Sequence, residues 1–483
     1  MSETENRPFG PTEKLAIWVL LISAFVVILN ETVMGVALPK LMTDLHVSAV
    51  AGQWLTTAFL LTMSVVIPIT GMLIQRVKTR SLFMTAMTLF TTGTLIAATA
   101  PGFEVLLLGR IVQAGGTAIM MPLLMTTVVT LVPENQRGKM MGRIAIVISV
   151  APALGPTLSG LILQSLSWRW LFIMMLPIAI AALAFGIARM PNVGEQRRAP
   201  IDALSVVLSV FAFGGLVYGL SLVGDAANGS ALMPPWVPVV IGLAALALFV
   251  WRQIVLQRED RALLDLRTFR SRPFTLSVIL FVFSSMALFG SLILLPIYVQ
   301  SVLGYDTLQT GLLMLPGGLI MGLLGPFVGR LVDARGAQFV LIPGTLITAL
   351  ALWSMGLFTD STPLWQILAT HIGLSLGLAG VFTPLFSVSL GSLETKLASH
   401  GSAVISTAQQ VAGAAGTALF ITVMTLVSVH SAGSPSAVDP HALAAGTRAA
   451  FLLGGAVSTI GFVLSFFVRD PAPQEVGEPA PAR

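Results

Sequence analysis

The stretch FVVILNETVMGVALP, Phe25 to Pro39, carries one carboxylate, Glu31, the only ionisable residue in the apolar run from Ala16 to Leu38. A charge at the centre of a membrane-crossing helix costs about 2.5–3.5 kcal/mol on insertion scales, so its presence asks for a function. Arg110 raises the same question from the opposite sign. Glu31 lies eight residues before Pro39, and Arg110 six residues after Glu104. At about 1.5 Å per residue, both fall roughly 10 Å below the same face of a membrane. Level buried charges of opposite sign are expected to pair. Burial and a neighbouring guanidinium act on the proton affinity of a carboxylate in opposite senses. Such a group is suited to taking up and releasing a proton as its surroundings change. The alternative is a structural ion pair that locks two helices together.

A chain that can hold such charges must first supply membrane-spanning elements. The 483 residues are 55% hydrophobic and only 10% charged, and the mean hydropathy is +0.90. Soluble domains carry about 25% charged residues. The 45 glycines and 28 prolines fit membrane helices, where both are enriched. With no cysteine, disulfides, thiolate metal sites and cysteine catalysis are excluded. The net charge of +5 is too small to indicate a nucleic-acid partner. The polar first fourteen residues and the length of the first apolar run read as a retained helix, not a signal peptide.

Fourteen apolar spans are expected, near 16–38, 51–75, 81–100, 105–131, 141–164, 170–189, 203–223, 236–252, 274–301, 308–332, 338–358, 364–390, 402–428 and 447–468. Glu31 is the only acid inside any of them, and Arg110 lies within the fourth. The even-numbered connections and the two ends hold 22 of the 26 Lys and Arg residues. The positive-inside rule then places both termini in the cytoplasm. GMLIQRVKTR from Gly71 and GRLVDARGAQ from Gly329 form an internal repeat 258 residues apart. At one span per about 33 residues, that distance is eight spans, as expected for two six-helix halves with two helices inserted between them.

In order and spacing these motifs resemble the major facilitator superfamily, and specifically its fourteen-helix drug/proton antiporter family. NETVMGVALP (Asn30 to Pro39) resembles the family's first-helix motif. LGRIVQAGG (Leu108 to Gly116) resembles its fourth-helix motif, and APALGPTLSG (Ala151 to Gly160) its antiporter motif of the fifth helix. SWRWLF and LLDLRTFRSRPF resemble further markers. The match has departures. The family's acidic position in the first motif is Asn30, with Glu31 one residue later, and Gln75 replaces the acid of the first loop motif while Asp333 keeps it in the second.

The resemblance implies an all-α integral membrane protein with the major facilitator fold. Its parts would be a cytoplasmic tail (1–15), an N-terminal six-helix half (16–190), a linker with two extra helices (191–273), a C-terminal half (274–468) and a second cytoplasmic tail (469–483). It also implies that spans 1 and 4 are neighbours facing a central cavity; from their level depth, Glu31 is expected to be the proton acceptor and Arg110 to tune it. Glu31 is expected to face Arg110 and Asn30 the cavity. Cavity polarity is expected from Asn30, Gln53, Gln113, Thr117, His371, Gln409 and Gln410, with one of the two glutamines facing inward; for His371, hydrogen-bonded packing is the favoured reading. Pro152, Gly155, Pro156, Ser159 and Gly160 make a kinked, close-packing face. Gly71 and Arg76, and Gly329, Arg330, Asp333 and Arg335, would close the cytoplasmic ends. The linker spans contain nothing that carries a proton and are expected at the periphery.

The expected function is proton-coupled export of lipophilic compounds, drugs among them, across a bacterial plasma membrane, driven by the proton gradient without a cofactor, by a monomer in contact with membrane lipids. The rivals are an exporter of one endogenous lipid, siderophore or antibiotic, and a non-transporting sensor or scaffold. No phosphate-binding Gly-x-x-x-x-Gly-Lys-Ser/Thr loop is present, no metal set is expected, and no nucleophile, base and orienting residue are grouped as in an enzyme.

Overall fold

The computed structural model describes residues 10–132, 150–152, 154–190, 192, 202–227, 231, 233–259, 261–394, 397–432 and 440–469. No strand occurs among them. Among the described residues, thirteen helices are long and apolar enough to cross a membrane. Of the fifth expected span, 141–164, residues 141–149 and 153 lie outside the described residues. Below, "inner" means the end of each span carrying the basic connections.

The N-terminal half contains α1 (Pro11–Thr32), α2 (Met34–Leu45), α3 (Ala49–Arg76), α4 (Thr79–Ala98), α5 (Phe103–Leu131), α6 (154–165), α7 (Trp170–Ile173) and α8 (Met175–Arg189). The first expected span is therefore two helices, broken directly after Glu31 and Thr32. One local cause is visible. Thr32 Oγ1 donates to the carbonyls of Ile28 and Leu29 at 3.3 and 3.1 Å, a back-bond that bends helices. α1 buries its side chains with α4, α5 and α8. The side chains of α2 join a core shared with the C-terminal half.

α4 and α5 approach closely because glycine permits it. A Cβ on Gly116 would collide with the Ala86 carbonyl, and one on Gly109 would come 2.8 Å from the backbone nitrogen of Ala97. This contact fixes the height of Arg110 against its neighbours.

The linker supplies α9 (Ala203–Ala227) and α10 (Trp236–Leu256), a tight hairpin with Gly215 against Gly242. α10 is peripheral, with Trp236 and Trp251 66% and 62% exposed. The outer third of α9 is not. Its Ser221 is fully buried between α3 and a C-terminal helix, which corrects the expectation that both linker helices lie outside the bundle. Small residues on α9 permit the close fit, and polar groups on α3 hold it.

The C-terminal half contains α11 (Arg272–Ile297), α12 (Thr307–Arg335), α13 (Gln338–Met355), α14 (Leu364–Gly391), α15 (Ala398–Ala432) and α16 (Pro440–Ser465). α11 ends in a wide π turn, Tyr298–Val302, a feature often found at functional positions. Here it carries Gln300 Nε2 to the carbonyl of Val36 on α2 at 3.1 Å. Nearby, Thr157 Oγ1 donates to the Gly311 carbonyl at 3.0 Å and Thr307 Oγ1 to that of Gly160 at 3.4 Å. The halves thus meet at their outer ends. Toward the inner side α12 is uncovered: Leu323 and Phe327 are 64% and 66% exposed, and Gly325 and Gly329 look into open space.

Candidate functional site

Arg110 is fully buried in α5. Its Nη1 donates to Asn30 Oδ1 at 2.8 Å and to Gln113 Oε1 at 2.7 Å. Its Nε donates to the Leu55 carbonyl at 3.3 Å, and its guanidinium carbon lies 4.0 Å from the centre of the Phe59 ring. Gln113 passes the chain on, donating from Nε2 to Thr94 Oγ1 at 2.8 Å. One cation therefore ties α1, α3 and α5 together directly and α4 through Gln113. Arg110 Nη2 and Asn30 Nδ2 find no hydrogen-bond partner among the described residues.

Asn30, not Glu31, bonds Arg110. This reverses the expected arrangement. Depth along the chain correctly brings both α1 residues level with Arg110, but neighbouring helical positions differ by about 100° in direction. Glu31 is partly exposed and forms no ion pair or hydrogen bond among the described residues. It remains close enough for its charge to act on Arg110.

The face that carries Glu31 is identified by helical spacing. Leu15, Trp18 and Ile22 are 40%, 49% and 50% exposed, and Phe25, Ile28 and Glu31 are partly exposed. Successive steps of three rotate the direction by about 60°, so Glu31 shares its side of the helix with Ile28 and lies opposite Ile22. One turn beyond Glu31, Gly35 meets the C-terminal half directly: a Cβ there would come 2.7 Å from the Leu292 carbonyl of α11. The side of the helix that carries Ile28 and Glu31 therefore turns toward the C-terminal half. Its polar group there is a single carboxyl, one turn beyond the apolar Ile28.

Of the other polar residues expected to line a cavity, most are held between helices. Gln113 and Thr117 are buried; the first bridges Arg110 and Thr94, and the second donates to the Gln113 carbonyl at 3.1 Å. Gln53 is fully buried and donates to Ser221 Oγ of α9 at 2.8 Å. The ring of His371 packs against Gly317, with Nε2 3.2 Å from the Met314 carbonyl. Gln410 is buried with Nε2 3.9 Å from Met63 Sδ. Gln409, one residue earlier, is partly exposed on a face with Ser402 and Ser406. Thr94, the Leu55 carbonyl, Phe59 and Ser221 carried no sequence signal, because each serves as the partner of another group.

Gly155, Pro156 and Gly160 of α6 lie on a packing face. Gly155 abuts Thr32 at the break of α1, Gly160 abuts the Thr307 carbonyl, and a Cβ on Gly311 would come 2.5 Å from the Pro156 carbonyl. Pro152 is partly buried. Gly71 lies in the final turns of α3, and Arg76 is exposed at its end. Asp333 and Arg335 are exposed; Arg330 and Arg335 lie over Phe327 and Phe339, and Asp333 has no ion pair among the described residues. No group of three metal-ligating side chains occurs among the described residues.

The model of the Major Facilitator Superfamily matches residues 20–417. The chain belongs to this superfamily. It is 40% identical over 479 residues to the MFS-type transporter YcnB of Bacillus subtilis strain 168, covering 99% of each chain. It is 40% identical over 453 residues to the lincomycin resistance protein LmrB of Listeria monocytogenes, covering 93% of this chain and 95% of that one. Its fold is similar to a bacterial homologue of the human lysosomal transporter Spinster in an inward-facing, unoccupied conformation. That likeness has a TM-score of 0.66 at 13% identity, over 95% of this chain and 97% of the other. The protein is a multi-pass bacterial membrane transporter of the major facilitator superfamily.

Proposed function

We propose that this transporter exports lipophilic compounds, drugs among them, in exchange for protons. The observation that carries the reading is Glu31, partly exposed one turn beyond Ile28 on the side of α1 that continues into the contact of Gly35 with the C-terminal half. A lipophilic molecule reaching this side of α1 meets Ile28 and then one carboxyl group. Ionised, that group attracts a cationic or amine-bearing substrate; protonated, it does not. Proton and substrate thus compete for one position, which is the minimum requirement for exchange. Arg110 opposes excess positive charge at this depth and favours release once Glu31 takes up its proton. The name of the 40% identical lincomycin resistance protein supports a drug substrate. The basic connections support cytoplasmic termini.

The test uses inside-out vesicles with an imposed pH gradient and a panel of lincomycin and cationic, neutral and anionic lipophilic compounds. Gradient-driven uptake of one or more compounds is expected, lost in Glu31→Gln, whose binding of a cationic compound should be weaker and no longer depend on pH. Uptake that is unaffected by collapsing the gradient, or fully retained in Glu31→Gln, overturns the reading.

A further inference from the structure

α9 crosses the seam between the two halves. Its inner part belongs to the C-terminal half: Leu208 packs on a core that contains Phe249 of α10, Phe274 and Val278 of α11, and Val404 and Ile405 of α15. Its outer part continues along α15, where Thr422 Oγ1 donates to the Leu220 carbonyl at 3.2 Å. There it also reaches the N-terminal half. Gln53 Nε2 of α3 donates to Ser221 Oγ at 2.8 Å, Trp54 lies 5.7 Å from Tyr218 between ring centres, and Gly224 stands against Val50. Val217 and Leu220 pack with Leu60 of α3, Phe289 of α11, and Ala414 and Ala418 of α15.

Alternating access requires the outer ends of the halves to separate. α9 cannot stay bonded to both. Its inner anchor and its bond to Thr422 bind it to the C-terminal half, so its contacts with α3 are the ones that must open. We propose that α9 is a strap across the outer α3/α15 seam, and that the Gln53–Ser221 hydrogen bond is its releasable clasp, biasing the transporter toward the outer-closed state. The clasp is suited to release. Gln53 Oε1 has no hydrogen-bond partner among the described residues, so the closed state leaves part of that side chain unsatisfied, which limits the net gain of closing.

The chain has no cysteine, so one introduced thiol reports without background. Val36 is fully buried at the outer seam, and Val36→Cys reacts with an external membrane-impermeant maleimide only when that seam parts. In this background, Ser221→Ala and Gln53→Leu are each expected to raise the labelling rate about two- to tenfold, the population shift produced by one buried hydrogen bond. The double variant should add little beyond either single one. Ser221→Ala removes one atom and keeps the helix contact, so it carries the test if Gln53→Leu folds poorly. Unchanged labelling in Ser221→Ala, or fully additive effects of the two substitutions, overturns the clasp. Neither outcome depends on which compound is exported or on whether protons drive it.

Discussion

Arg110 sets the chemistry of its neighbourhood by the number of donors it must place. A guanidinium has five N–H groups in a rigid fork, and Asn30, Gln113 and the Leu55 carbonyl engage two of its nitrogens. Removing the fork strips two buried amide oxygens of their donor, each costing about 1–3 kcal/mol. Arg110→Ala is therefore expected to lower thermal stability in detergent clearly, whereas Glu31→Gln, which breaks no hydrogen bond among the described residues, leaves it nearly unchanged. Equal losses in a melting measurement would show that Glu31 is a structural partner of Arg110 after all. The sequence revealed the depth of both charges, because depth follows from residue count. It did not reveal which way they point. Asn30 and Glu31 differ by one position, and the bend imposed by Thr32 lies just beyond them, so only the packed helices decide which side chain meets α5.

Helix packing turns these positions into a rigid frame, and the frame is sharp at individual glycines. Gly116 faces the Ala86 carbonyl without room for a Cβ, while Gly115 has only the Leu89 side chain near, at 3.8 Å. Gly116→Ala should destabilise by about 1–3 kcal/mol through overpacking, and Gly115→Ala should be close to neutral; a melting comparison that ranks them the other way refutes the α4/α5 register. The linker hairpin makes a pH-dependent prediction at its inner end. Arg252 donates to both oxygens of Asp202 at 2.6 and 2.5 Å, and with Ser205 it holds that carboxyl at about 2, below its ordinary 3.8. The lowered value means that the bond's contribution is complete above about pH 4 and fades as pH falls toward 2. Hydrogen exchange at the start of α9, corrected for intrinsic rate, should speed up across that window, and Asp202→Asn should remove the dependence. Span lengths, the inserted pair and the glycine-rich contacts were legible as apolar runs and small-residue motifs. The outer third of α9 was not, because a sequence of small and apolar residues reads alike whether it faces lipid or a seam.

On the scale of the whole molecule, the outer contacts decide which side is open. Gly160 and Gly311 let α6 and α12 touch backbone to backbone, and Thr157, Thr307 and Gln300 add hydrogen bonds between the halves at the same level. These contacts act in favour of outer closure, while the inner half of α12 makes few contacts, with Leu323 and Phe327 exposed. A bulky side chain at the contact acts on one state only, so it shifts the population instead of weakening the fold. Gly160→Val puts branched methyl groups against the Thr307 carbonyl, which the closed outer seam cannot hold. The substitution should raise external maleimide labelling of Val36→Cys, and lower labelling of Phe327→Cys by the same reagent applied from the inner side. Opposite movement of the two reporters is the required sign, because a single rocking equilibrium exposes one side only as it hides the other. If both rates rise together, the substitution has loosened the bundle, and the α6/α12 contact is ordinary packing rather than the outer seam of an alternating-access cycle.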